Sequence, residues 1–133
     1  MRHPRLVIYE RDGFLAEQVR ELAREHRWVV RESRQADACL KILRDPGPAV
    51  LLIKVDKEAL DGMALIGRAF ESAPHCPLAL FFDEKQEGAG QRALLAGLAY
   101  DLGASAVVFP PLTQSAVEDL AAGLMAGAVA RDA

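Results

Sequence analysis

The chain has 133 residues, 51% of them hydrophobic, with 10 glycines and 7 prolines. That length and composition describe one globular domain and exclude a disordered tract. A net charge of -3 gives no electrostatic footprint for nucleic acid. The charge is uneven: ten Lys/Arg against eight Asp/Glu in residues 1–45, six against eleven in 46–133. Arg2, Arg5, Arg20, Arg24, Arg27, Arg31 and Arg34 are candidates for a basic patch, though a solvated helix face mixed with Glu is the simpler reading. Cys39 and Cys76 are too few for a disulfide framework and read as small buried hydrophobes of a reducing compartment. The start Met-Arg-His-Pro-Arg lacks the apolar stretch of a signal peptide, and no run reaches a membrane span, so the expectation is a cytoplasmic domain with no membrane contact.

Five short apolar runs alternate with five helical segments. Leu6–Tyr9 reads as the first strand. A helix follows over about Gly13–His26, with Asp12 as its cap and Phe14, Leu15, Val19, Leu22 and Ala23 at helical spacing. Trp28–Val30 is a short second strand, and Ser33 is placed to cap a helix carrying Ala36, Cys39, Leu40 and Leu43. Asp45-Pro46-Gly47-Pro48 stops it.

Residues 49–55 are apolar on successive positions except Lys54, as expected of a parallel strand covered on both faces. A third helix is expected over Leu60–Ser72, with Met63, Ile66, Ala69 and Phe70 inward. Pro77–Phe82 is the fourth strand, followed by a polar loop from Asp83 to Gly90 and a helix over about Gln91–Leu102 that Gly103 ends. In that helix Tyr100 reads as partly core. Ala106–Phe109 is the fifth strand. After Pro110-Pro111, Thr113 or Ser115 caps a last helix, Ser115 through Glu118 fitting a capping box, with Leu120, Ala121, Leu124, Met125 and Ala128 inward. The small residues Ala121, Ala122, Gly123, Ala126, Gly127 and Ala130 suit close helix packing.

This (βα)5 alternation predicts a single α/β domain over 1–133: a doubly wound, five-stranded parallel sheet in a three-layer sandwich. Chemistry in such sheets gathers at the carboxyl ends of the strands. Those ends carry Glu10, Arg11 and Asp12, then Lys54 and Asp56, then Phe82 and Asp83, then Pro110 and Pro111. No Gly-rich phosphate loop follows the first strand, whose turn is Glu10-Arg11-Asp12-Gly13, and no Ser/His/Asp or Cys/His set converges there. His75-Cys76 lacks a third ligand for a metal.

Leu52-Ile53-Lys54-Val55 followed by Asp61-Gly62, and Gly103-Ala104-Ser105 leading to Pro111-Leu112, resemble the receiver domains of bacterial two-component response regulators over residues 4–130. The resemblance implies a flavodoxin-like fold. It also implies a pocket where an acidic pair and a phosphoacceptor aspartate hold Mg²⁺, and where a Ser/Thr and a Lys grip the phosphoryl group once it is attached. Carried onto this chain, the acidic pair falls on Glu10 and Arg11, with Asp12 adjacent. The phosphoacceptor falls on Lys54, the Ser/Thr on Phe82 or Asp83, and the Lys on Pro110; the aromatic switch position falls on Val107. An amine forms no acyl phosphate and repels a divalent cation at contact distance. The expected domain is therefore a pseudo-receiver: a non-catalytic signalling module, with no cofactor or metal, that acts on a protein partner or a second copy of itself. Lys54 needs a counter-charge, for which Glu10 is the first candidate and Asp12 the second. Two alternatives stand beside this reading: a divergent receiver phosphorylated on Asp56, and a sensor of a small ligand or nucleotide in the strand-end crevice. The peptide before Pro111 is expected to be cis, as in that family. The loop from Asp83 to Gly90 is longer than the family's usual loop, a tolerated insertion or a partner-binding element.

Overall fold

A computed structural model describes residues 3–55, 59–83 and 89–132. Its elements alternate from end to end: β1 (Arg5–Tyr9), α1 (Phe14–His26), β2 (Val29–Ser33), α2 (Ala36–Arg44), β3 (Ala49–Val55), α3 (Ala59–Ser72), β4 (Leu78–Phe82), α4 (Ala89–Leu102), β5 (Ala106–Val108) and α5 (Gln114–Asp132). All strand pairs are parallel, in the order β2-β1-β3-β4-β5. The expected (βα)5 sheet is the observed one.

The apolar runs divide between two cores by strand parity, because successive side chains point to opposite faces. Val7, Leu51, Ile53, Val55, Leu78, Leu80 and Phe82 pack with Cys39, Leu40, Leu43, Leu65 and Ile66 on the α2/α3 side. Leu6, Ile8, Val50, Leu52, Ala79 and Phe81 pack with Leu15, Val19, Val117, Ala121 and Met125 on the α1/α5 side. Helices thus cover both faces, which is why β3 and β4 carry apolar residues without alternation. Lys54 has the parity of Val50 and Leu52 and lies at the end of β3, where the sheet opens.

Several local expectations are corrected. β2 begins at Val29 and runs to Ser33, so Ser33 ends a strand; its Oγ accepts from the Gln35 amide instead of capping α2 directly. Gly13, at φ +76°, is the N-cap of α1, with Asp12 one residue ahead. Thr113 caps α5, its Oγ1 accepting from the Ala116 amide, so the Ser115 capping box does not form. Phe70 and Tyr100 are about half exposed, not core. Arg5 does not join a basic patch: its guanidinium donates to the carbonyls of Asp45 and Pro46, pinning the α2–β3 loop. The Pro110–Pro111 peptide is cis, as expected.

Gly62 does more than open a helix. It lies within α3, where an added Cβ would stand 2.1 Å from Val55 Cγ1 and 3.3 Å from Ile53 Cγ2. Only glycine lets α3 approach the end of β3 this closely. Gly103, at φ +120°, closes α4 against the ring of Phe70.

Candidate functional site

The order β2-β1-β3 places the topological switch between β1 and β3, whose carboxyl ends part to form a crevice. A cleft of about 420 Å³ lies there, lined by Tyr9 at the end of β1, Glu10, Arg11 and Asp12 after it, Arg34 after β2, Lys54 and Val55 of β3, Asp61 and Gly62 of α3, and Asp83 after β4.

Lys54 holds the centre of the cleft. Its Nζ donates to Asp12 Oδ2 at 2.7 Å and to Asp83 Oδ2 at 3.3 Å, and it stands 5.2 Å from the centre of the Phe14 ring. Its side chain is only 6% exposed, so the ammonium has exchanged most of its water for two carboxylates and an aromatic face. Burial by itself pulls the Lys54 pKa down. The hydrogen bonds and charges of Asp12 and Asp83 outweigh it and hold the pKa above its ordinary value. Asp12 responds in kind: its hydrogen bond to Lys54 is the largest of the influences that hold it below the usual carboxylate range.

The partner of Lys54 is therefore Asp12 with Asp83, not Glu10. Glu10 is buried and already committed. Its two carboxylate oxygens accept from the amides of Leu15, at 2.8 Å, and Ala16, at 3.0 Å, while Asp12 Oδ1 accepts from the Phe14 amide at 3.1 Å. The first three amides of α1, which no helical carbonyl reaches, are satisfied by these two side chains. Burial pushes the Glu10 carboxyl pKa up, an effect the two amides partly offset. A lone buried carboxylate gains more from two amide donors and the positive end of a helix than from a cation that two other carboxylates can reach.

Of the remaining predicted positions, Arg11 is exposed on the rim of the cleft. Phe82 and Asp83 separate cleanly. Asp83 turns into the cleft, while its amide donates to the Val55 carbonyl at 2.9 Å. Phe82 is buried below, stacked on Phe109 with ring centroids 4.9 Å apart and planes 5° off parallel. Pro110 and Pro111 do not line the cleft. Asp56 lies outside the described residues. Tyr9, Arg34 and Asp61 also line the cleft, though the sequence placed Tyr9 only at the end of a strand, Arg34 only in a basic patch and Asp61 only in the Asp61-Gly62 motif. Tyr9 and Arg34 sit at or just beyond strand ends, the one signal that would have found them.

A receiver's Mg²⁺ needs carboxylates that converge on open space. Here Glu10 is turned to α1, its neighbour is Arg11, and Asp12 and Asp83 close on the Lys54 ammonium. These residues do not fit a divalent cation. Among the described residues no group of three or more His, Cys, Asp or Glu is arranged to hold a metal ion. Nor does either cysteine offer a reactive thiol: burial pushes Cys39 up to about 11 and raises Cys76 as well.

No protein-family model matches the chain, and no characterised protein matches it by sequence. Solved structures match it by shape. A response regulator receiver domain protein from Clostridium thermocellum superposes with a TM-score of 0.67 at 19% identity, over 98% of this chain and 96% of the other. A CheY-like receiver domain protein from Methanospirillum hungatei gives 0.70 at 13% identity, over 95% and 97%. NtrX from Brucella abortus, solved with ADP, gives 0.70 at 19% identity. The match covers 98% of this chain but only 29% of NtrX, so this chain spans less than a third of that protein. The fold is that of response regulator receiver domains. Among the described residues no helix is long and apolar enough to cross a membrane.

Proposed function

We propose that this domain is a phosphorylation-independent signalling module, a receiver fold whose reactive centre has become a structural ion-pair cluster and which acts through protein–protein contact in a two-component pathway. One observation carries the reading: Lys54 Nζ bonded to both Asp12 and Asp83 at the end of β3. Phosphoryl transfer to a carboxylate needs a nucleophilic oxygen and a metal that neutralises the phosphoryl oxygens. The ammonium offers neither and keeps two carboxylates occupied. Among the described residues the cleft is lined by no Ser, His or Cys, which also argues against an independent hydrolytic or nucleophilic activity. Its volume falls within the range of ligand pockets, but its wall carries Glu10, Asp12, Asp61 and Asp83 alongside Arg11, Arg34 and Lys54, a balance with no surplus of positive charge to favour an anionic nucleotide.

The test is the intact mass of the protein after incubation with a small-molecule phosphodonor and Mg²⁺. The mass stays unchanged under this reading. A stoichiometric phosphoryl adduct that maps to Asp56 or Asp83 establishes a divergent but active receiver and overturns it.

A further inference from the structure

The cleft at the strand ends has two halves. Lys54 has the parity of Val50 and Leu52, so its cluster with Asp12 and Asp83 fills the half toward α1. Tyr9 has the opposite parity, that of Val7, and packs half-buried against the α2/α3 core. Beside it, Arg34 and Asp61 line the cleft from two further elements. Arg34 lies between the end of β2 and Gln35, the N-cap of α2, while Asp61 lies in the first turn of α3. Burial raises the Tyr9 pKa most, Asp61 of α3 and Cys39 of α2 add to the rise, and Arg11 opposes it. The hydroxyl therefore stands within electrostatic reach of both helices.

The groups of the first half satisfy one another, and those of the second do not. Among the described residues none bonds to or pairs with the Arg34 guanidinium, the Tyr9 hydroxyl or the Asp61 carboxylate. One cation, one anion and one hydroxyl thus face a shared cavity with their bonding capacity open. Such a set discriminates by charge. A ligand carrying only negative charge meets Arg34 but is opposed by Asp61, and one carrying only positive charge meets Asp61 but is opposed by Arg34. A ligand with an ammonium and a carboxylate on one short frame satisfies both. The Tyr9 hydroxyl, donor and acceptor at once, serves either end.

We propose that the α2/α3 half of the cleft binds a small zwitterion of the amino-acid class, its carboxylate on Arg34, its ammonium on Asp61 and the Tyr9 hydroxyl between them. The whole cleft, at about 420 Å³, is of ligand-pocket size, so this half admits such a molecule while the Lys54 cluster stays intact. Arg34 and Asp61 are exposed, so both charged contacts remain partly wet. Binding is accordingly weak, with a dissociation constant between about 10 µM and 1 mM. The site does not depend on the phosphorylation-independent reading, and the two fail separately: phosphorylation is read by mass, this binding by calorimetry.

Isothermal titration calorimetry of the full chain against the common amino acids and γ-aminobutyrate, each up to about 10 mM, tests it and spans the dissociation constants at issue. The expected result is saturable binding of at least one of them. For that ligand, N-acetylation and conversion of the carboxylate to the amide each weaken binding by about fivefold. Asp61→Asn and Arg34→Gln do the same. The combinations identify the contacts: N-acetylation costs nothing further in Asp61→Asn, and amidation costs nothing further in Arg34→Gln. Both substitutions lie at exposed positions, so circular dichroism should report an unchanged fold. No binding from any of these ligands overturns the proposal. So does binding indifferent to the blocked forms or to the two variants, or effects of blocking and substitution that simply add.

Discussion

Replacement of Lys54 by methionine isolates what the central ion cluster contributes. Methionine keeps most of the volume and the contact with Phe14 but removes the charge that Asp12 and Asp83 share. The Lys54 side chain is 6% exposed, whereas those of Asp12 and Asp83 are 55% and 43% exposed. The pair is thus neither a surface contact, at roughly 0.2–1 kcal/mol, nor a sealed one, whose breakage costs about 3–5 kcal/mol. The half-wet carboxylates recover hydration once the lysine is gone, which places the Lys54–Asp12 coupling near 1 kcal/mol. In a domain of this size that corresponds to a fall of roughly 3–5 °C in Tm. The sign of the pH dependence is fixed by both shifts. The folded-state pKa of Asp12 is lowered, so its contribution is complete above the unfolded value of about 3.9 and is lost as pH falls through the folded value. The folded-state pKa of Lys54 is raised, so its contribution is complete below the unfolded value of about 10.4 and is lost as pH rises through the folded value. A double-mutant cycle of Lys54→Met and Asp12→Asn, measured by urea denaturation at pH 7 and again near pH 2, reads the coupling directly. Coupling of about 1 kcal/mol at pH 7 that fades at pH 2 is expected. Additive single mutants at pH 7 would refute the assignment of Lys54 to Asp12.

Three further outcomes follow from the same geometry. Glu10→Ala strips the Leu15 and Ala16 amides of their acceptor and should cost about 1–2 kcal/mol in chemical denaturation; an unchanged midpoint would show that water caps α1 equally well. Gly62→Ala drives a methyl group into Val55 at the point where α3 meets β3 and should cost about 1–3 kcal/mol or more, with hydrogen exchange rising first along α3. Lys54→Asp alone should not accept a phosphoryl group, read by intact mass, since Glu10 remains turned to α1 and Phe82 and Pro110 offer no hydroxyl or ammonium to hold one.

The sheet was legible because its signal is dense. Every buried parallel strand is an apolar run, and the punctuation by Pro46, Gly47, Pro74 and Gly103 separates the elements. The position of Lys54 was equally legible, since β3 is the longest run and the lysine closes it. Its partner was not. Glu10 and Asp12 both follow β1, and which one faces β3 depends on how α1 leaves the strand, a three-dimensional fact. One sequence sign did exist: Glu10 stands four residues ahead of the first helical residue, within reach of the free amides. Phe70 and Tyr100 were misjudged for a different reason. Helical spacing assigns a face but not whether a neighbouring element extends far enough to cover it, and α4 covers little of the end of α3. Gly62 hid behind Asp61, because Asp-Gly reads as a turn until the distance to Val55 is known.

A bound Mg²⁺ and a lysine ammonium both neutralise carboxylates, yet they differ in one respect that bears on signalling. A metal is exchangeable, and a phosphoryl group added beside it changes the charge balance of the pocket, which is what lets such a pocket adopt two states. The Lys54 ammonium is covalently tethered to β3, and its raised pKa keeps it charged throughout the physiological range. Asp12, in turn, stays ionised through the same range because its pKa is lowered. Protons therefore do not shift the charge of Lys54 or Asp12 across that range. Under the proposed phosphorylation-independent reading, regulation enters at the surface of the domain and not at this cluster.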